Sequence, residues 1–213
     1  MRYRICYEKT GRLIYVSHLD MQRLLQRMLR RSGVKVMFSQ GFNPHVLMSF
    51  TPPLPLFASS LEEYVDVELS GGPSPDEVME KLRAASPEGL KVNSVECPGE
   101  GAPPLSRTFS RASYRIRIAT DAKAEEVKAF YEDSVEIVTE KLNKKKQLKR
   151  EDIKPRIYSF DVRDAAEGIV IDCSLCFLNE GLLNPFVLAG ALEKSCPQLL
   201  GAKVLSVCKM KVE

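Results

Sequence analysis

The stretch Arg2-Tyr3-Arg4-Ile5-Cys6-Tyr7-Glu8 alternates bulk with charge. Period two puts Tyr3, Ile5 and Tyr7 on one face and Arg2, Arg4 and Glu8 on the other, the pattern of a strand buried on one side. Tyr114-Arg115-Ile116-Arg117-Ile118 repeats the opening Tyr-Arg-Ile in register and charge, so the chain reads as an internal duplication.

Outward from the first stretch, Ser17 is placed to cap a helix with Asp20 at its third position. Met21, Leu24, Leu25, Met28 and Leu29 form the apolar stripe, and Gly33 is the stop. Val34–Ser39 and Val46–Phe50 read as short strands around the turn Gly41-Phe42-Asn43-Pro44, followed by a loop carrying Pro52, Pro53 and Pro55. Tyr64–Leu69 reads as a strand, Ser74-Pro75 with Glu77 opens a second helix to about Ala85, and Leu90–Val95 closes the half. The order strand, helix, two strands or more, helix, strand matches that of a ferredoxin-like fold.

Residues 97–106, with Gly99, Gly101, Pro103 and Pro104, read as a linker. Beyond it the order recurs: a helix over Ala124–Asp133 with Val127, Phe130 and Tyr131 inward, a strand from Val135, a basic tract, and a hairpin of Ile157–Val162 with Gly168–Phe177. A helix from Asn184-Pro185 to Lys194 and a strand over Lys203–Val212 end the chain. The expected architecture is α+β, two tandem ferredoxin-like (βαββαβ) domains over residues 1–98 and 107–213, the second with an extra hairpin.

The 213 residues carry a formal net charge of only +3, too little by itself to imply a nucleic-acid partner. The charge is segregated, however. Residues 1–50 hold nine basic and two acidic side chains, residues 51–100 three and ten, and residues 101–150 twelve and seven. No apolar run is long enough for a membrane helix and the N-terminal stretch lacks a signal-peptide pattern, so a cytoplasmic location is expected. The six scattered cysteines are expected to be reduced.

Two basic clusters stand out. Arg23, Arg27 and Arg30, flanked by Arg31, share the helix face opposite the apolar stripe, a spacing that lets guanidinium forks engage successive phosphates. Between 141 and 156 lie eight basic residues, among them Lys144, Lys145, Lys146, Lys149, Arg150 and Lys154, against Glu151 and Asp152 alone. The competing reading of both is a solvated surface.

The two histidines, His18 and His45, are the only side chains whose ordinary pKa lies near neutrality. Ser17-His18-Leu19-Asp20 is no contiguous triad, because neighbouring helical residues point about 100° apart. Cys173 and Cys176 have CxxC spacing but lie in a strand, where residues three apart face opposite sides. No metal or cofactor site is expected.

Tyr15-Val16-Ser17-His18-Leu19-Asp20, the arginine-rich helix behind it and Gly41-Phe42-Asn43-Pro44-His45 together resemble the radical-SAM-associated protein family, a bacterial domain of unknown function. The likeness continues through Ser49–Pro55, Glu63–Glu68, Lys144-Lys145 and Asp152-Ile153-Lys154-Pro155; it departs at Lys146, where a glycine often stands. It implies a radical-SAM protein as partner and a translation or RNA-processing setting, while the chain lacks the cluster-binding cysteines of that enzyme. The expected function is a non-catalytic RNA-binding or substrate-presenting module that uses Ser17, His18, Asp20, Arg23, Arg27, Arg30, Arg31, Gly41, Phe42, Asn43, His45 and the lysine tract. The alternatives are a metal-independent endoribonuclease using His18 or His45, and a protein-docking module without RNA.

Overall fold

Tyr3, Ile5 and Tyr7 leave water as the alternation requires, in strand β1 (Arg2–Lys9). The computed structural model describes residues 1–99, 101–142, 148–178 and 180–213, without the side chains of residues 141 and 142. The chain is mixed α+β and divides into two compact units, Met1–Phe109 and Ser110–Glu213.

In the first unit β1 leads to α1 (His18–Arg31), β2 (Met48–Phe50), β3 (Ala58–Glu68), α2 (Pro75–Ala85), β4 (Leu90–Glu96) and the single turn α3 (Leu105–Thr108). β1 lies between β4 and β3, β2 adds to β3, and all these pairings are antiparallel. Met21, Leu25, Met28 and Leu29 of α1 and Val78 and Leu82 of α2 pack with Tyr3, Ile5, Tyr7, Val65, Val67 and Val92 of the strands. Each such side chain contributes roughly 1.5–3 kcal/mol on burial.

The second unit contains β5 (Arg111–Ala119), α4 (Ala124–Asp133), the hairpin β6 (Val138–Leu142) and β7 (Leu148–Asp152), β8 (Ile157–Ala165), β9 (Gly168–Cys176), α5 (Pro185–Ser195) and β10 (Lys203–Val212). β5 pairs with β10 on one side and β9 on the other, and β8 pairs with β9, again antiparallel. Gly168 (φ +129°) cannot be replaced at the β8–β9 turn, where a Cβ would lie 2.2 Å from the Ile118 carbonyl oxygen.

The repeated Tyr-Arg-Ile places the same ion pair in both units. Arg4 lies opposite Asp66 of β3, with Nε 2.8 Å from Oδ1, and Arg115 lies opposite Asp172 of β9, with Nε 2.7 Å from Oδ1. Their surroundings differ. The first pair is buried, with side chains 8% and 4% exposed, and the second is open, at 42% and 36%.

Three sequence expectations need correction. The outer face of β1 is covered too: Arg4 and Cys6 are buried as well as Tyr3 and Ile5. The segment expected to be a linker packs on this face at Arg4: its Ala102 and Pro103 carbonyls accept hydrogen bonds from Arg2 and Arg4, and its Leu105 is buried. Val34–Ser39 forms no strand; it makes the isolated bridges Val36 to Leu69 and Phe38 to Val46, and the ladder breaks where Gly41 turns the chain. Nor does a strand begin at Val135, which is exposed; Ile137 is buried and the ladder starts at Val138. Among the described residues no helix is long and apolar enough to cross a membrane.

Candidate nucleic-acid interface

Ser17 caps α1 as its sequence position requires: its Oγ accepts from the Asp20 N–H at 3.2 Å and donates to Asp20 Oδ2 at 2.7 Å. Asp20 also accepts from Arg23 Nη1 at 3.0 Å. The Ser17 hydroxyl first, and Arg23 next, hold this carboxyl below the usual carboxylate range. Asp20 is thus spent on the helix start, and His18 is oriented elsewhere.

His18 Nε2 lies 2.9 Å from Gln22 Nε2, one helical turn along, and its ring meets Phe50 of β2 edge to face at 5.4 Å. Partial burial lowers its pKa below the ordinary 6.5, opposed by the charge of Glu63 and reinforced by that of Lys9. The imidazole is therefore neutral at pH 7, and no Ser-His-Asp relay is assembled. What the arrangement offers is a neutral hydrogen-bonding ring beside a helix N-terminus.

Arg23, Arg27 and Arg30 are exposed, as the helical spacing requires. Arg23 shares its charge with Asp20, and the Arg30 guanidinium lies over the Phe38 ring, 5.8 Å from its centroid. Arg31 belongs elsewhere: its Nη2 donates to the Ala85 carbonyl at the end of α2, which joins the two helices.

The loop after α1 returns to it through Phe38. Ser39 closes the loop with three contacts to His45: its Oγ lies 2.8 Å from His45 Nδ1 and accepts from the His45 N–H at 3.1 Å, while the Ser39 N–H donates to the His45 carbonyl at 2.8 Å. Gly41, at φ +124°, has space around it and is required by its backbone conformation. Asn43 is exposed on the same loop, and Phe42 stands fully exposed at its tip.

Sequence reasoning missed the exposed apolar side chains Tyr15 and Leu19, on either side of the Ser17 cap, and Leu56 and Phe57. Tyr15 and Phe57 meet edge to face at 6.1 Å. Phe57 is the only non-glycine with positive φ (+69°) among the described residues, a conformation that costs about 1–2 kcal/mol. No residue pattern in the sequence announces it.

In the second basic cluster three of the four basic side chains described are occupied. Lys154 donates to the Tyr131 carbonyl at 3.1 Å and to the Ser134 carbonyl, and sits over the Tyr131 ring; it satisfies the C-terminus of α4. Arg150 pairs with Glu140 at 3.5 Å, Arg156 with Glu151, and Lys149 is exposed. Lys144, Lys145 and Lys146 lie outside the described residues.

Among the described residues no group of three or more His, Cys, Asp or Glu is placed to hold a metal ion. Cys173 is buried in β9, and desolvation pushes its thiol up to about 12, far from a reactive thiolate. The six cysteines are free thiols.

Residues 2–185 match the model of a family described as an uncharacterized protein conserved in bacteria (DUF2344). No curated protein is matched. A solved structure provisionally described as a glycine cleavage system transcriptional repressor is similar at 12% identity over 99% of this chain and 97% of that one, with a TM-score of 0.24, too low to carry an argument.

Proposed function

From the premise that this chain belongs to the DUF2344 family of uncharacterized bacterial proteins, we propose that it is a non-catalytic RNA-binding or substrate-presenting module, the partner of a radical-SAM protein in a translation or RNA-processing setting. The observation that carries this reading is the exposed Arg23, Arg27 and Arg30 face of α1, a helix whose one carboxylate is Asp20. Three guanidinium groups on one rigid helix present forked donors to a phosphate chain and release its counterions. The radical-SAM association rests on the resemblance of the Tyr15–Asp20 motif, the arginine-rich helix behind it and the Gly41–His45 motif. We further read each unit as ferredoxin-like, which the strand orders β4-β1-β3-β2 and β10-β5-β9-β8 support.

The test is a titration of the purified chain with cellular RNA across a range of salt, beside the Arg23→Gln, Arg27→Gln, Arg30→Gln triple variant. Affinity is expected to fall steeply with salt. The variant is expected to bind more weakly, with a log–log salt slope shallower by about 2, given roughly 0.7 per phosphate contact on single strands. Salt-insensitive binding, or a variant indistinguishable from the parent chain, would sink the proposal.

A further inference from the structure

Around the arginine face lie aromatic rings that electrostatics alone does not explain. Phe42 is fully exposed at the tip of its loop, and Phe38 is 41% exposed beneath the Arg30 guanidinium. A fully exposed phenylalanine ring presents a flat apolar face that phosphate cannot use and a stacking ligand can.

The loop holding Phe42 is built. The bridge from Phe38 to Val46 closes its base, Ser39 and His45 exchange the hydrogen bonds described above, and the Met37 N–H donates to the Glu68 carbonyl at 2.9 Å. Phe42 is therefore held out from a closed base, which reduces the entropy cost of using it. Through Phe38 and Arg30 that base is joined to the C-terminal half of α1, so the loop that carries Phe42 starts from the charged helix.

We infer that this surface recognises single-stranded RNA, with Phe42 as a platform on which an unpaired base stacks and with the Phe38–Arg30 pair as a second, cation-backed plane. The inference rests on the RNA-binding reading above and narrows its substrate class. Duplex RNA keeps its base faces stacked inside the helix and offers a protein mainly phosphates and sugar hydroxyls. A duplex would use Arg23 and Arg27 and leave Phe42 idle. An unpaired strand uses both, because every base has a π-face and stacking on an aromatic ring tolerates any sequence.

The experiment compares a fluorescent oligouridine with a long blunt RNA duplex, titrated against the full chain and its Phe42→Ala, Phe42→Tyr and Arg27→Gln variants at several salt concentrations. Phe42→Ala is expected to weaken oligouridine binding by about tenfold without changing the salt slope, Phe42→Tyr to restore it, and neither to alter duplex binding. Arg27→Gln is expected to change the salt slope for both. Phe42 is fully exposed, so its loss is expected to leave the fold intact.

If Phe42→Ala is silent and the two RNAs bind alike, the stacking platform is wrong while the arginine face remains an RNA surface. If neither RNA binds at low salt, the RNA reading fails and this inference with it; the aromatic tip is then a protein contact.

Discussion

At the scale of single residues, the two copies of the Arg–Asp pair form an experiment the molecule has already set up. Asp66 accepts both Nε and Nη2 of Arg4 in a buried setting, and the guanidinium is also tied to the Pro103 carbonyl. Asp66→Ala leaves an uncompensated charge under cover, which costs about 3–5 kcal/mol. Asp172→Ala removes the same chemistry from a pair more than a third exposed, where screening limits the cost to roughly 1 kcal/mol or less. Urea unfolding of the two variants checks the contrast. Equal losses would mean that the covering segment does not exclude water from Arg4. The identity of both arginines was legible in the repeated Tyr-Arg-Ile, but their partners were not, because a strand's sequence does not announce which residue sits opposite.

At the scale of elements, the helices were the most legible parts. Ser17, Ser74 and Asn184 each accept a hydrogen bond from the first turn they precede, a local interaction that sequence spacing encodes directly. The cap of α4 could not be read this way: the Ala124 N–H finds its acceptor in Asp164, forty residues on. Lys154 makes the same point for a candidate site. In sequence it belongs to a lysine tract, yet in space it closes α4 by donating to Tyr131 and Ser134. Lys154→Met is therefore expected to lower the midpoint of thermal unfolding by several degrees, as a loss of about 1 kcal/mol does in a chain of this size, and to leave RNA affinity unchanged. Calorimetry with a parallel binding titration reads both. Weakened RNA binding at unaltered stability would return Lys154 to the ligand surface.

At the scale of the whole molecule, most of the element order was legible in the apolar periods along the chain, and Phe42 was legible through the Gly41–His45 motif, whereas Phe38 and Phe57 were not. Phe38 lies in a segment read as a strand and Phe57 in a turn without periodicity, and only the isolated bridge from Phe38 to Val46 and the positive φ of Phe57 bring out their exposure. Of the nine phenylalanines and seven tyrosines in the chain, Phe42 has the greatest exposure among those described, and it sits outside any strand or helix. Tyr15 and Tyr158 are exposed from within a helical turn and a strand. Limited chymotrypsin digestion is expected to cut first after Phe42, with single-stranded RNA slowing that cut; mass spectrometry of the first fragments identifies the site. A first cut elsewhere would show that the loop closure holds Phe42 away from a protease cleft.

The short strand β2 has a bearing on how these molecules behave when crowded. It comprises three residues, pairs only with β3 among the described strands, and is followed at once by Pro52, Pro53 and Pro55, with Pro44 shortly before it. Fibre growth needs a long, flat run of unpaired amides against which an identical chain can lay its own strand. A three-residue run between prolines offers too few amides in a row to template one, so this edge can stand beside a sticky aromatic loop without seeding polymerisation.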